Sequence, residues 1–377
     1  MITEPPTSAD HTEVRDLVRD LVDATFTSEK VRAAMATPLG FDEVAWKQMV
    51  GLGWSSLALR EEVGGENLGA YVQCLVHREL GARLAPSPYL STVAFAAVAL
   101  HVLADERGRD LLAAIGAGTT DAALVLGHGR GWPEGVPPVV TARETDLGWV
   151  VDGQAELVLD AGRSDVLVVV AAVGDQGGWG LFEVDARAAA VRRTARPVVD
   201  ATRVFADVVL DTVPARCLRG APVTTEQLSG LVDRIAVYLA AEMVGAAVSC
   251  LKQVLDYLRT RHQFGRPIGS FQALKHRCAD AAVAVTVAQE LMFSAAEMVD
   301  AGDSSGLRLS GPLLLARAGE VFKAIAEEAI QLHGGVGFTD EVDIGLYYKR
   351  ALVDTELLAS TDDAYARMEH VRREVSA

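Results

Sequence analysis

QLHGGVGF, Gln331 to Phe338, follows a stretch that reads as a good helix, EVFKAIAEEAI, and then sets three glycines in four positions beside a glutamine. Glycine has no Cβ, so such backbone takes left-handed angles without penalty and lets another group come close. Helices end on glycine for the first of these reasons alone, so the stretch by itself has an ordinary explanation. His333, within it, reads as a packed or hydrogen-bonded histidine rather than a ligand. A second stretch changes the reading. In RHQFGRPIGSFQ, Arg261 to Gln272, Arg261 comes just after the last turn of a long helix and Phe264 offers a flat ring. Gly265 and Pro267 force a turn, and Gln272 opens the next helix. An arginine beside bare loop backbone suits a phosphate or pyrophosphate. Each stretch alone is unremarkable; together, on helices of one bundle, they point to a site.

Outward from these stretches the chain divides into three segments. Residues 1–118 carry a helical period: FDEVAWKQMVGLGW and AYVQCLVHRELGARL repeat apolar residues at three and four, with Gly64, Gly65, Pro86 and Pro88 as punctuation. Residues 119–218 change period. DGQAELVLD, SDVLVVVAAV, GWGLFEVD and RVFADVVLDTV are β-branched runs bounded by Gly and Asp, the pattern of a small β domain. Residues 219–377 return to helix, opening with Thr224 and Gln227 in capping-box spacing. Leu228, Leu231, Ile235, Leu239, Met243, Ala246, Cys250 and Val254 then recur at three or four. A stripe of that length implies a helix of roughly 50 Å at about 1.5 Å per residue. Bundles with helices this long associate through them, so an oligomer is expected.

Composition narrows the functional classes. The 377 residues carry 35 basic against 51 acidic side chains, a formal charge of -16, which disfavours nucleic acid as a partner. Cys74, Cys217, Cys250 and Cys278 lie far apart, with no CxxC pair and no metal-like spacing to histidine. They read as reduced core thiols of a cytoplasmic protein. Uninterrupted apolar runs such as VAFAAVAL, Val93 to Leu100, fall short of the ~20 residues of a membrane helix, so no membrane is expected as partner.

RHQFGRPIGSFQ and QLHGGVGF resemble the C-terminal signatures RxxFGxPIxxFQ and QxxGGxGF of the acyl-CoA dehydrogenase family. FDEVAWKQMVGLGWSSLALREEVGG and HRELGARLAPSPYLSTV look like its N-terminal helices, so the resemblance covers nearly the whole chain. It implies a mostly α fold with a central small β domain: an N-terminal helical domain, a β-barrel-like middle domain and a C-terminal four-helix bundle. The implied activity removes two hydrogens across the α and β carbons of an acyl-CoA thioester, with a glutamate as base, FAD as hydride acceptor and electron-transfer flavoprotein as the next acceptor. In the family each FAD is shared between two subunits, its ADP half gripped by the neighbour. Carried over, Arg261, Gln263, Phe264, Gln272, Gln331, Gly334 and Gly335 are the expected grip.

The rest of the family's site is altered. Where a TEPxAGSD-like flavin loop is expected the chain has ALVLGHGRGWPEG, Ala123 to Gly135, and a WITN-like strand has become ELVLDAG, Glu156 to Gly162. Leu157 cannot shield a flavin face as an indole does. Counting from Arg350 places Ala359 where most of the family has its glutamate, and Ile235 or Ala236 where a minority carries it. Three readings stand. The chain is the catalytically incomplete subunit of a heterotetramer with a paralogous acyl-CoA dehydrogenase chain. Or it is an active homo-oligomer using a displaced base, with Asp362, Asp363, Glu356, Asp233 and Glu242 as candidates. Or it is a flavin-free assembly protein. Heteromeric members of the family suggest bulky, steroid-like acyl groups.

Overall fold

The computed structural model describes residues 9–174 and 178–376. The first segment is helical: α1 (Ala9–Thr25), α2 (Ser28–Met35), α3 (Glu43–Gly51), α4 (Gly69–Ala82), a π-helical stretch Leu90–Ala97 running into α5 (Val98–Leu103), and α6 (Arg109–Gly116). Asp42 starts α3 by accepting the backbone N–H groups of Val44 and Ala45, satisfying donors that have no partner inside the helix.

Seven strands follow: β1 (Ala122–Leu126), β2 (Val140–Thr145), β3 (Gly148–Leu159), β4 (Val166–Val173), β5 (Gly178–Asp185), β6 (Val191–Arg196) and β7 (Phe205–Cys217). β4 pairs with β2, β2 with β3, β3 with β7, β7 with β5 and β5 with β4 again. That ring closes the sheet into a barrel, which leaves few open edges. Valines alternate inward, and Val125, Val140, Val151, Leu167, Val169 and Phe182 belong to its buried core. Each β-branched run read from the sequence is one of these strands.

The last segment holds α7 (Thr225–Thr260), a two-strand turn of β8 (His262–Gln263) and β9 (Arg266–Pro267), α8 (Gln272–Asp300), α9 (Ser304–His333), α10 (Ile344–Leu357) and α11 (Thr361–Ser376). The capping box is made: Gln227 N–H donates to Thr224 Oγ1 at 3.1 Å and Thr224 N–H to Gln227 Oε1 at 3.1 Å. Two helices, α7 and α8, have the length and hydropathy of a membrane span, which the uninterrupted apolar runs failed to reveal because polar residues are spaced through both. The apolar window of α7 is 83% buried and marks a core helix, whereas that of α8 is 39% buried, with Val283 and Val287 exposed.

Contacts gather the chain into two compact units that cut across the three segments: Met1–Arg32, Ala70–Ala85 and Ala236–Ala377 in one, Ala33–Gly69 and Pro86–Ile235 in the other. In the helical unit α9 packs on α8, α10 and α11. There α4 and α7 approach closely, since a Cβ at Gly81 would meet the Glu242 carbonyl oxygen at 2.1 Å and one at Gly245 the Arg78 carbonyl oxygen at 1.8 Å. The second unit is built on the barrel. Thr92 Oγ1 donates to the Ala122 carbonyl at 3.1 Å and Trp46 Nε1 to Asp121 at 3.0 Å, tying its helices to β1.

Candidate functional site

At the end of α7 the chain turns back through Phe264 and Gly265, both left-handed with φ of 55° and 77°, as a two-residue hairpin of this kind requires. His262 pairs with Pro267 and Gln263 with Arg266. The Ile268 N–H donates to the Arg261 carbonyl at 2.8 Å, and the Arg266 guanidinium lies 4.2 Å over the Phe271 ring. The hairpin is therefore held by its own contacts. Arg261 and Gln263 are exposed and so is Phe264, at 89%; Gln272 begins α8, also exposed.

At the end of α9 Gln331 is exposed, and the backbone breaks at Gly334, with φ 62° and ψ -140°, a conformation open essentially to glycine. Its N–H returns to the Gln331 carbonyl. A Cβ on Gly337 would lie 2.6 Å from the Ile330 carbonyl oxygen, so packing demands that glycine. Gly335 is different. Among the described residues nothing lies within 4 Å of where its Cβ would stand, and its φ is not left-handed. Neither packing nor backbone angle asks for a bare residue there, and an outside group could approach its backbone.

The structure brings these two loops together. The rings of Tyr257 and His333 stack with centroids 4.3 Å apart, and the Tyr257 hydroxyl donates to the His333 carbonyl at 3.3 Å. His333 is buried, its Nδ1–H donates to the Ala329 carbonyl at 2.8 Å, and burial lowers its pKa. Arg261, Gln263, Phe264, Gln331, Gly334 and Gly335 thus belong to one end of the helical unit, and they fit the pyrophosphate and adenosine half of a flavin dinucleotide.

In the barrel unit the residues do not fit a flavin ring. The loop after β1 lies against the first turns of α7: the Trp132 indole N–H donates to Asp233 Oδ1 at 2.7 Å and the Ser229 hydroxyl to Glu134 Oε1 at 2.6 Å. Ser229 and Asp233 are one turn apart, so they share a face. His128 sits edge-on to Trp179 at 5.7 Å, its Nε2–H donates to the Gly131 carbonyl at 2.9 Å, and burial pushes its pKa down. At the end of β3, Leu157 is left-handed and partly exposed. Asp160 is buried against Arg163 at 2.7 Å and accepts the Ser91 hydroxyl. In both segments these polar contacts are made to the chain itself.

The carboxylates have similar fates. Ala359 is 2% exposed, in the turn between α10 and α11, and Ile235 and Ala236 are fully buried apolar residues on α7. Asp363 caps α11 through Ser360, accepting its N–H at 3.1 Å and its hydroxyl at 2.7 Å. Asp362 is exposed in the same first turn, and Glu356 is exposed near the end of α10. Asp233 holds the indole of Trp132. Glu242 lies inside the helical unit between His77 Nδ1 at 3.0 Å and Arg350 at 3.7 Å. The Trp132–Asp233 contact and the His77–Glu242–Arg350 cluster escaped the sequence reading, for each joins residues from distant parts of the chain. The only local signal for the Tyr257–His333 stack was that Tyr257 stands one turn before Arg261.

Comparison with known proteins agrees with this geometry. Residues 219–358 match the family description "Acyl-CoA dehydrogenase, C-terminal domain" and residues 8–114 "Acyl-CoA dehydrogenase, N-terminal domain". Acyl-CoA dehydrogenase IpdE2 of Mycobacterium tuberculosis is 33% identical over 359 residues, covering 94% of this chain and 95% of that protein. Among solved structures, a variant of the Tcur3481–Tcur3483 steroid ACAD superposes with a TM-score of 0.87 at 27% identity, covering 97% of this chain and 98% of that one. The ChsE4–ChsE5 complex from Mycobacterium tuberculosis gives 0.86 at 26% identity, covering 99% of each chain. With its signature loops, its barrel between helical segments and these matches to both ends, the chain belongs to the acyl-CoA dehydrogenase family.

Proposed function

We propose that this chain is the cofactor-gripping subunit of a heteromeric, FAD-dependent acyl-CoA dehydrogenase, working beside a paralogous chain that supplies the flavin cleft and the base. One observation carries the reading: the loops that would serve a neighbour's cofactor are preformed and exposed, while those that would seat a flavin ring in this chain are engaged with its own residues. Arg261 would pair with the pyrophosphate, Gly334 and Gly335 would let it approach the backbone, and Gln263, Phe264, Gln272 and Gln331 would flank the adenosine. When bound, FAD would supply the hydride acceptor for α,β-dehydrogenation. The two solved relatives above carry names of two-chain assemblies, one a steroid ACAD, and this supports a paralogous partner and a bulky, steroid-derived acyl-CoA as substrate. Electron-transfer flavoprotein is the acceptor proposed for the complex, and the cytoplasm its compartment.

The test is to recover the complex with the tagged chain from its native cell and measure mass and flavin. The chain purified alone is expected to be colourless, and the complex to hold one flavin per two chains. Arg261→Ala removes charge-assisted bonds worth ~1.5 to 3 kcal/mol, so the mutant complex should lose flavin while the chain melts at an unchanged temperature. A yellow chain with one flavin each, oxidising an acyl-CoA unaided, would overturn the reading in favour of a homo-oligomer with a displaced base.

A further inference from the structure

Arg261 and Gln331 leave different helices, yet a two-armed grip on one pyrophosphate works only if the arms keep a set spacing; a misplacement of about 1 Å costs as much as a lost contact. The hairpin that carries Arg261 is rigid in itself, and so is the glycine turn after α9. What joins them is a pair of side chains 76 positions apart. Resting on the function proposed above, we infer that Tyr257 and His333 are a positioning pair that sets the distance between the two arms and through it the affinity for the cofactor.

Four contacts make the pair a link rather than a chance neighbour. The Arg261 N–H donates to the Tyr257 carbonyl at 2.9 Å, so the arginine hangs from the turn that Tyr257 begins. The rings of Tyr257 and His333 stack at 4.3 Å with planes 22° apart. The Tyr257 hydroxyl donates to the His333 carbonyl, one of the last carbonyls of α9, which no residue of that helix can satisfy. His333 is held in turn by its Nδ1–H on Ala329, which fixes the ring's rotation and tautomer. His333 is followed directly by Gly334, whose N–H closes on Gln331. A displacement of either ring therefore moves an arm of the grip.

The experiment uses the complex recovered with the tagged chain, stripped of flavin and titrated with FAD, beside melting curves of the stripped complex. Tyr257→Phe keeps the stack and loses one hydrogen bond, and should raise the Kd for FAD about two- to ten-fold. Tyr257→Leu loses both and should raise it further. Because the pair acts through Arg261, the combined Tyr257→Leu and Arg261→Ala variant should bind FAD less weakly than the product of the single effects predicts. If Arg261→Ala weakens FAD but both Tyr257 variants bind it like the wild type, or the effects multiply, the pair is ordinary packing and the inference falls while the subunit reading stands. If Arg261→Ala leaves FAD binding unchanged, both fall. Should Tyr257→Leu fail to fold, Tyr257→Phe with and without Arg261→Ala decides on the same criteria.

Discussion

Counting from Arg350, Ala359 is the residue expected where most of the family has its glutamate. It is buried beside Leu358, which is 2% exposed, in a turn whose next residue, Ser360, caps α11 with Asp363. A carboxylate there would be taken out of water, at a cost of a few kcal/mol. Ala359→Glu is thus expected to lower the melting temperature of the chain and to add no turnover to the complex; a gain on the order of 10² or more in rate would show a flavin cleft lacking only its base. Gly335 gives the opposite contrast. A Cβ at Gly335 meets no described atom within 4 Å beyond its neighbours in the chain, so with Gly335→Ala the chain should melt as before, whereas flavin content of the complex should fall; equal flavin in mutant and wild type would make Gly335 an ordinary loop residue. Arg261 and the glycines stand out in the sequence because the chemistry of a pyrophosphate grip would demand those residue types. Tyr257 has only its place one turn before Arg261 to mark it, since a stacking partner 76 positions away leaves no pattern in the nearby sequence.

Among the elements α7 illustrates how local rules and long-range contacts divide the work. Its start is set by the Thr224 and Gln227 box and its direction by a stripe of buried residues, both visible in the sequence. Thr224→Ala should cost about 0.5 to 2 kcal/mol, seen as a lower melting temperature of the chain with flavin content of the complex unaltered. The loop Gly127–Pro138 meets the first turns of the same helix through Trp132 and Glu134, and that contact is tertiary. Trp132→Phe keeps the ring but leaves the buried Asp233 short of a donor, and an acceptor so stranded costs about 1 to 3 kcal/mol. The expected result is a destabilised chain whose complex still holds its normal flavin; a complex that gained a second flavin would mean that the loop had been holding a competent ring site shut.

For the whole molecule, the half-buried His101 and the buried His128 and His333 give stability a pH dependence of known sign. Burial lowers the pKa of His101, with Arg60 and Arg234 adding to it, and burial is also the main cause at His128 and His333. A histidine whose folded pKa lies below its unfolded value near 6.5 binds fewer protons folded than unfolded. Its contribution is complete above about pH 6.5 and is lost as pH falls through the folded pKa. The melting temperature should hold from pH 8 to 7 and drop on further acidification, and the drop should be shallower in His128→Asn; a melting temperature that rises toward pH 5 would contradict the assignment.

The sequence by itself determined the order of helix, strand and helix, the caps, the long α7 and the two signature loops. Each of these follows from residue type at spacings of two, three or four, where backbone geometry and side-chain chemistry act within a few residues. The tertiary structure alone decided how β4 closes the barrel by pairing with both β2 and β5, which carboxylates are engaged by the chain's own residues, and that the loops of Arg261 and Gln331 lie at one end of the helical unit. Those outcomes depend on which distant surfaces bury each other, and the contacts between Tyr257 and His333, Trp132 and Asp233, and His77 and Glu242 exist only once that burial has been settled.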